Sequence, residues 1–271
     1  MNTFPVTQRL TADQFEPQTT DDWQPITLIV AEEVPIALVY NGISHVVLMA
    51  TPQDLRELAY GFSLSEGIIE HASQIYAVDV VTSADGMLVQ IELATACFAR
   101  LKQQRRQLVG RSGCGLCGVE SLAALAPQIV PISDAVKQAV PVEPAQISQA
   151  FIQMASQQTL NQQTGALHAA GLCYVDAAQQ VQLQVFEDVG RHNALDKLLG
   201  WRLLQAEPPL GVVLLTSRVS YELVQKTARA GLPVIAAISA PTGLAIRLAQ
   251  QANMTALGFV RDGRMTRYVG E

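Results

Sequence analysis

Two cysteines three residues apart are the strongest candidates for chemistry in this sequence. Cys114 and Cys117 lie in the run Gly113-Cys114-Gly115-Leu116-Cys117-Gly118. Glycine adopts positive φ values readily and has no side chain to block a ligand, so the run predicts an accessible loop. Three arginines precede the run: Arg105, Arg106 and Arg111. Positive charge beside a thiol favours the thiolate, which is the reactive form.

A CxxC pair is compatible with four kinds of site. A structural zinc site needs four ligands, and the other two cysteines, Cys97 and Cys173, do not form a second pair. A thioredoxin-like redox pair belongs at the start of a helix, whereas the glycines here favour a loop. A structural disulfide is typical of an oxidising compartment, which no other feature indicates. The fourth kind is a cysteine that carries a group covalently with help from its neighbour. The spacing alone does not choose among them.

The hydrophobic content indicates that the chain can bury a large core, and its net negative charge indicates no general affinity for anions. Of its 271 residues, 49% are hydrophobic and 15% are charged, and the net charge is -6. That charge argues against nucleic acid and anionic membranes as partners. Residues 1–22 lack the basic start and apolar run of a signal peptide, and no apolar run approaches the length of a membrane span. We therefore expect a soluble cytoplasmic protein with a flexible leader over residues 1–22.

Residues 23–130 predict an α+β unit that ends in the cysteine loop. A strand is expected over residues 26–32, and Asn41-Gly42 predicts a tight hairpin between strands at 36–40 and 43–49. Thr51 is the expected N-cap of a helix that begins at Pro52 and ends near Glu66. The other predicted elements are strands over 74–82 and 87–93 and helices over 96–107 and 119–126.

Residues 131–271 predict a second unit in which strands and helices alternate. The predicted helices cover residues 145–158, 192–205 and 218–230, and a further helix begins at Thr242 or Gly243. The predicted strands cover residues 171–176, 181–186, 211–215, 232–238 and 255–260. This alternation favours a parallel or mixed sheet that is covered on both faces.

Three strand-to-helix joints in the second unit carry small and polar residues. They cover residues 187–193, 216–220 and 239–243. Ligands of open α/β sheets bind at the carboxyl ends of strands, and the N–H groups of helix N-termini suit phosphate. The candidate ligand contacts at these joints are Arg191, Ser217, Arg218 and Thr242. The simpler interpretation is that the serines and threonines are N-caps. No Walker A or GxGxxG pattern is present, so an ordinary nucleotide site is unsupported.

The remaining candidate site residues are two histidines and the residues of one turn. His168 precedes a predicted strand, and His192 stands among acidic and basic residues; each is either a site residue or a hydrogen-bonded structural group. Arg261 and Arg264 flank a turn after the last predicted strand. This turn predicts either a charged hairpin or an anion contact. The H-x-E and P-C-x-x-C signature of zinc deaminases is missing around His168 and the CxxC pair.

The sequence resembles the formate dehydrogenase accessory sulfurtransferase family, FdhD, over nearly its whole length after the leader. The most specific match is the long block from Glu187 to Lys197, which reads EDVGRHNALDK. The other matching motifs are Tyr40-Asn41-Gly42, Met49-Ala50-Thr51-Pro52, Gly61-Phe62, Ser65-Glu66-Gly67, Cys114 with Cys117, Thr164-Gly165 with His168, Ser217-Arg218, and Ala240-Pro241-Thr242.

The resemblance implies a sulfur relay. A cysteine desulfurase would load Cys114 as a persulfide with Cys117 assisting, and the sulfur would pass to the molybdenum or tungsten bis(guanine dinucleotide) cofactor of formate dehydrogenase. The segment implied to bind this cofactor comprises Phe259, Val260, Arg261, Asp262, Gly263 and Arg264. The joints add Ser217, Arg218, Thr242 and His192 as cofactor-binding candidates.

The resemblance also implies an architecture and partners. It implies a homodimer and, over residues 131–271, a cytidine-deaminase-like three-layer α/β/α core that lacks the deaminase zinc site. The desulfurase and formate dehydrogenase are the implied partners, and no tightly held metal is expected. Two rivals stay open: a cofactor chaperone that moves no sulfur, and a zinc-stabilised interaction module.

Overall fold

The computed structural model describes residues 4–15, 22–109 and 129–270, with the backbone alone for residues 104–109. Its strands form three sheets of two, four and six strands. Cys114, Cys117 and the predicted helix over 119–126 lie outside the described residues. None of the described helices combines the length and apolar composition that a membrane-spanning helix needs.

The two-stranded sheet involves part of the predicted leader. Strand β1 (Thr7–Gln14) pairs antiparallel with β2 (Gln24–Ala31) over eight residue pairs. The strand β2 was predicted, but β1 was not, because its polar side chains show no clear alternation. The prediction of a loosely ordered segment is therefore wrong for residues 7–14.

The four-stranded sheet has the order β4-β3-β6-β5. Its strands are β3 (Val34–Tyr40), β4 (Ile43–Ala50), β5 (Ile75–Ser83) and β6 (Gly86–Leu93). The predicted hairpin between β3 and β4 is confirmed, and Asn41 and Gly42 have the φ values of 45° and 79° that a tight turn requires. A short 3₁₀ helix (Ala72–Gln74) precedes β5.

Helix α1 (Leu55–Ser65) covers this sheet but begins three residues later than predicted. Thr51 is not its N-cap, because Asp54, with a φ of 54°, holds that position. The Thr51 N–H instead donates to Oδ2 of Asp188, and its hydroxyl accepts from the N–H of Val189. Contacts with the second unit therefore override the local capping preference.

The six-stranded sheet has the order β12-β11-β10-β9-β7-β8 and is mixed. Its strands are β7 (His168–Val175), β8 (Val181–Asp188), β9 (Gly211–Leu215), β10 (Val234–Ala237), β11 (Thr255–Arg261) and β12 (Arg264–Val269). Five of these were predicted, and β12 was not. The mixed sheet is confirmed; its likeness to cytidine deaminase stays a prediction.

Helices cover both faces of this sheet. The hydrophobic core on one face includes residues of α6 (Arg191–Leu203), α7 (Tyr221–Arg229) and α8 (Gly243–Gln251). The other face packs against α4 (Pro144–Gln157). Three further helices are α2 (Thr95–Val109), which was predicted, and the short α3 (Asp134–Gln138) and α5 (Thr159–Thr164), which were not.

The two predicted units share one hydrophobic core. Leu58 of α1 and Leu195 of α6 are fully buried members of the same cluster. The helices cross at two glycines: a Cβ on Gly61 would overlap the carbonyl oxygen of Asp196, and one on Gly200 would overlap that of Glu57. Glycine is required at both positions because the backbones touch. The division of the chain near residue 130 itself stays a prediction.

Candidate functional site

Strands β8, β9, β10 and β11 end at the same edge of the six-stranded sheet, which we call the carboxyl edge. Strand β10 runs parallel to β9 and β11, and β8 runs parallel to β9 because β7 is antiparallel to both. The three predicted joints and residues 259–264 therefore lie along one edge, as the sequence indicates.

Backbone hydrogen bonds join the segments of the carboxyl edge to one another. The N–H of Phe259 donates to the carbonyl of Ser239, and the N–H of Thr242 donates to the carbonyl of Val219. Val219 also forms a bridge with Pro241, which explains why α7 begins at Tyr221 rather than at the predicted residue 218. Residues 216–220, 239–243 and 259–264 thus form one continuous rim.

The predicted residues on this rim differ in exposure. Arg218 is exposed, whereas Ser217 is buried and donates its hydroxyl to the carbonyl of Arg218 at 3.2 Å. The hydroxyl of Thr242 accepts from the N–H of Ala245, so Thr242 acts as the N-cap of α8. Arg218 is therefore the group at these two joints that is most available to an anion.

Residues 259–264 form the hairpin between β11 and β12. Asp262 and Gly263 supply the turn with φ values of 53° and 70°, so the charged hairpin is confirmed. Phe259 has a φ of 52°, which is uncommon for a bulky residue and often marks a functional position. Its exposed ring lies 5.6 Å from the guanidinium carbon of Arg261. A shallow cavity of about 350 Å³ is lined by Phe259, Arg261, Arg264 and Thr266.

A buried ion pair fixes the joint between β8 and α6. Nζ of Lys197 lies 2.7 Å from Oδ2 of Asp188, and both side chains are fully buried. Oδ1 of Asp188 also accepts from the N–H of Gly190 and from Nδ2 of Asn193. Asn193 and Lys197 further donate to the carbonyls of Met49 and Thr51. We call this group the Asp188–Lys197 latch, because it fastens residues 49–51 to the second unit.

The latch gives a structural role to much of the EDVGRHNALDK block. Glu187 contributes separately: its two oxygens accept from the N–H groups of Leu160 and Asn161 in α5. His168 is half-buried and pairs through its backbone with Asp188. Burial, with Arg191 adding to it, lowers the pKa of His168, so its imidazole is neutral near pH 7.

His192 faces α7 rather than the rim. Its Nε2 lies 2.6 Å from Oε2 of Glu222 in the first turn of α7. Burial lowers the pKa of His192 and outweighs the opposing effect of the Glu222 carboxylate. The predicted site residue His192 is therefore placed beside an acid that the sequence did not single out.

A second buried cation lies next to this pair. Nζ of Lys226 lies 2.9 Å from Oδ2 of Asp196 and 2.9 Å from Oε1 of Glu66, and it donates to Oγ of Ser65. Burial alone would lower the pKa of Lys226, but the two carboxylates raise it. The ring of Phe62 lies 5.4 Å from the same ammonium group.

Helical spacing is the signal that could have revealed these residues. Asn193 and Lys197 are four residues apart on α6, and Glu222 and Lys226 are four residues apart on α7. Such pairs share one helix face. Both helices follow the predicted joints, so polar residues on their inner faces were candidates for burial against the joints.

Two of the four cysteines lie in the described part of the chain. Cys97 and Cys173 are buried free cysteines, and burial raises the pKa of Cys173 to about 11, which suppresses its thiolate. Cys114 and Cys117 lie outside the described residues, between the end of α2 and residue 129. Their role stays a prediction.

Comparison with known proteins gives a consistent result. Residues 31–271, which include both cysteines of the CxxC pair, match the FdhD/NarQ family. The chain is 50% identical over 240 residues to the sulfur carrier protein FdhD of Bordetella bronchiseptica, covering 88% of this chain and 84% of that protein. It is 53% identical over 235 residues to the sulfur carrier protein FdhD of Cupriavidus necator, covering 86% and 79%.

A solved structure shows the same fold. It belongs to a candidate formate dehydrogenase accessory protein from Desulfotalea psychrophila, with a TM-score of 0.72 and 24% sequence identity. The superposition covers 97% of each chain. The overall fold is therefore not peculiar to this sequence.

Proposed function

We propose, from the premise that this chain belongs to the FdhD/NarQ family, that it is a sulfur carrier which serves formate dehydrogenase. The single observation that carries this proposal is the identity of about half of the residues with sulfur carrier proteins over most of the chain. The sulfur would travel on Cys114 as a persulfide, and the recipient would be the molybdenum or tungsten bis(guanine dinucleotide) cofactor.

Loading is a thiolate exchange. The Cys114 thiolate attacks the outer sulfur of a persulfide on a cysteine desulfurase, the S–S bond of that persulfide breaks, and the desulfurase leaves as a thiolate. Cys114 then holds the transferred sulfur atom. No electrons are gained or lost overall, because one S–S bond replaces another.

Delivery as a sulfido ligand requires two electrons, which Cys117 can supply. Its thiolate attacks Sγ of Cys114, a Cys114–Cys117 disulfide forms, and the outer sulfur leaves as sulfide for the metal. A cellular thiol reductant then regenerates the pair. This step gives Cys117 an assisting role, and its need for reduced thiols fits the cytoplasm as the location.

The carboxyl edge supplies groups that suit the pyrophosphates of such a cofactor. Arg218, Arg261 and Arg264 can each make bidentate contacts with phosphate oxygens. The exposed ring of Phe259 offers a face on which a flat heterocycle can stack. The proposal includes these contacts. It also includes a cysteine desulfurase and formate dehydrogenase as partners, and a homodimeric state.

Mass spectrometry after incubation with a cysteine desulfurase and cysteine tests the carrier role. We expect the peptide with Cys114 to gain the mass of one sulfur atom. The peptides with Cys97 and Cys173 serve as internal controls, because both side chains are buried and should stay unmodified. A loop that never gains sulfur would overturn the proposal.

A cofactor chaperone that moves no sulfur is the alternative, and one substitution separates the two. In a strain that lacks the native protein, Cys114→Ala should abolish formate dehydrogenase maturation while the purified variant keeps its melting temperature. Full maturation by this variant would favour the chaperone. Metal analysis of the purified wild type addresses the zinc-stabilised rival, because one zinc ion per chain would support it.

A further inference from the structure

A cavity of about 710 Å³ opens at the end of the six-stranded sheet that is opposite to the carboxyl edge. Val234 and Thr255, the first residues of β10 and β11, line it together with Val212 of β9. We call it the amino-edge cavity. The length of these strands separates it from the joints, and none of the proposed steps uses it.

Uneven helix cover explains why this cavity exists. Helices α6, α7 and α8 contribute to the core on one face of the sheet, whereas the other face packs against α4. Strands lie about 4.8 Å apart and packed helices about 8–10 Å apart, so one helix covers about two of the six strands. The short helix α3 and residues 139–143 extend this cover, and the amino-edge cavity is the space between them and the sheet.

Aliphatic side chains form most of the cavity wall. The sheet contributes three of them, and α4 with the segment before it contributes three more: Val212, Val234 and Leu257, then Val140, Val142 and Ile147. None of the described lining residues is aromatic. Such a wall packs around an aliphatic chain, whereas stacking of a flat ring needs an aromatic partner. The volume lies within the range of small-molecule sites.

The charged groups of the cavity leave an excess of positive charge. Asp134, Lys137 and Arg267 are the ionisable side chains among its described lining residues. Oδ1 of Asp134 accepts from Nδ2 of Asn253 at 2.8 Å. Neither Lys137 nor Arg267 forms an ion pair with a side chain that the structure describes. One carboxylate is thus set against two cations, and a ligand with a single negative charge would balance them.

Burial gives the cavity an apolar inner part and a charged outer part. Val212 and Leu257 are buried in the core of the sheet, whereas Arg267 is exposed and Lys137 is half-buried. Arg267 pairs with Leu257 across β11 and β12, so its side chain lies on the same face of the sheet as the apolar floor. This order suits a molecule with an apolar chain at one end and an anionic group at the other.

We propose that the amino-edge cavity binds an aliphatic carboxylate of medium chain length. The chain lies against Val212, Val234 and Leu257, and the carboxylate lies between Lys137 and Arg267. The site is independent of the sulfur carrier role, because none of these residues belongs to the carboxyl edge or to the CxxC pair. A ligand held here binds the folded chain and not the unfolded one, so it also raises the melting temperature.

Calorimetric titration with four small molecules tests this assignment: octanoate, 1-octanol, octylammonium and butanoate. We expect octanoate to bind roughly five- to thirty-fold more tightly than 1-octanol, because each ion pair at a partly exposed site contributes up to about five-fold. Octylammonium, which has the same chain with the opposite charge, should bind more weakly than 1-octanol. Butanoate should bind at least about ten-fold more weakly than octanoate, since it has four fewer CH₂ groups to bury.

Two sets of variants locate the ligand. Lys137→Met combined with Arg267→Met should bring octanoate and 1-octanol to within about three-fold of each other, whereas Arg247→Met, which removes an exposed guanidinium from α8, should keep the preference. Val142→Trp fills part of the cavity and should weaken the binding of both ligands at least about five-fold. Val136→Trp, at a position in α3 that does not line the cavity, should leave both affinities unchanged. If Val142→Trp does not fold, the charge variants decide alone.

Three results would overturn the assignment. Equal affinity for octanoate and octylammonium would remove the preference for an anion. An unchanged preference in the variant with Lys137→Met and Arg267→Met would place the carboxylate elsewhere. Absence of octanoate binding at millimolar concentrations, as when a second copy or another protein covers the cavity, would overturn it as well. Sulfur loading of Cys114 is measured separately by mass spectrometry, so none of these results bears on the sulfur carrier role.

Discussion

The Asp188–Lys197 latch allows a quantitative test of what holds the two units together. Lys197→Met keeps most of the side-chain volume and removes only the ammonium group. Removing one partner of a buried ion pair costs about 3–5 kcal/mol, because the other charge stays buried without compensation. Asp188 would retain three donors: the N–H groups of Thr51 and Gly190 and the amide of Asn193. We therefore expect the lower end, about 3 kcal/mol.

Urea unfolding followed by circular dichroism measures this change. The control is Lys137→Met, since Lys137 makes no ion pair in the described part of the chain; it should change the free energy of unfolding by about 0.5 kcal/mol or less. In the double variant Lys197→Met with Asp188→Asn, the loss should be smaller than the sum of the single losses. A loss below about 1 kcal/mol for Lys197→Met, with an unchanged urea dependence, would refute the view that the latch carries much of the stability.

Two further predictions concern the helix crossing and the histidines. Gly61→Ala should destabilise the protein by about 1–3 kcal/mol, because its methyl group would overlap the backbone of α6. Gly243→Ala, whose methyl group would make only an ordinary contact with the side chain of Arg247, should be neutral or slightly stabilising in the same urea assay. Equal effects of the two would contradict the close crossing. Burial lowers the pKa values of His168 and His192 from 6.5, so below about pH 6.5 the unfolded chain binds more protons and stability falls as the pH falls. The urea midpoint should therefore decrease between about pH 7 and 5, and less so in a His168→Gln, His192→Gln double variant; equal slopes would contradict the assignment.

Elements with local signals were predictable from the sequence. Asn41-Gly42 specifies the β3–β4 hairpin, and the continuous apolar run of residues 211–215 specifies the buried strand β9. The strand-to-helix alternation also placed the joints at one edge of a sheet. The start of α1 was wrong because Thr51 is bound by Asp188, which lies 137 residues away in the sequence. No local pattern contains such a contact.

The residues of the candidate site likewise fall into those that local sequence features revealed and those that only the folded structure revealed. Arg218 and residues 259–264 were found because charge and glycine at a strand end are local features. Glu222 and Lys226 were missed because their significance depends on Asp196, Glu66 and His192, which three-dimensional folding brings to them. Of the two histidines that the sequence analysis selected, His192 contacts one of the missed residues, Glu222.

The glycine crossing of α1 and α6 has a mechanical consequence. Where two helix backbones touch, rolling or sliding of either helix would bring main-chain atoms into collision, so the crossing resists displacement of α1 against α6. Gly61 and Gly200 thus set the spacing between the helix of the first unit and the helix that follows the EDVGRHNALDK joint, and a larger residue at either position would change it.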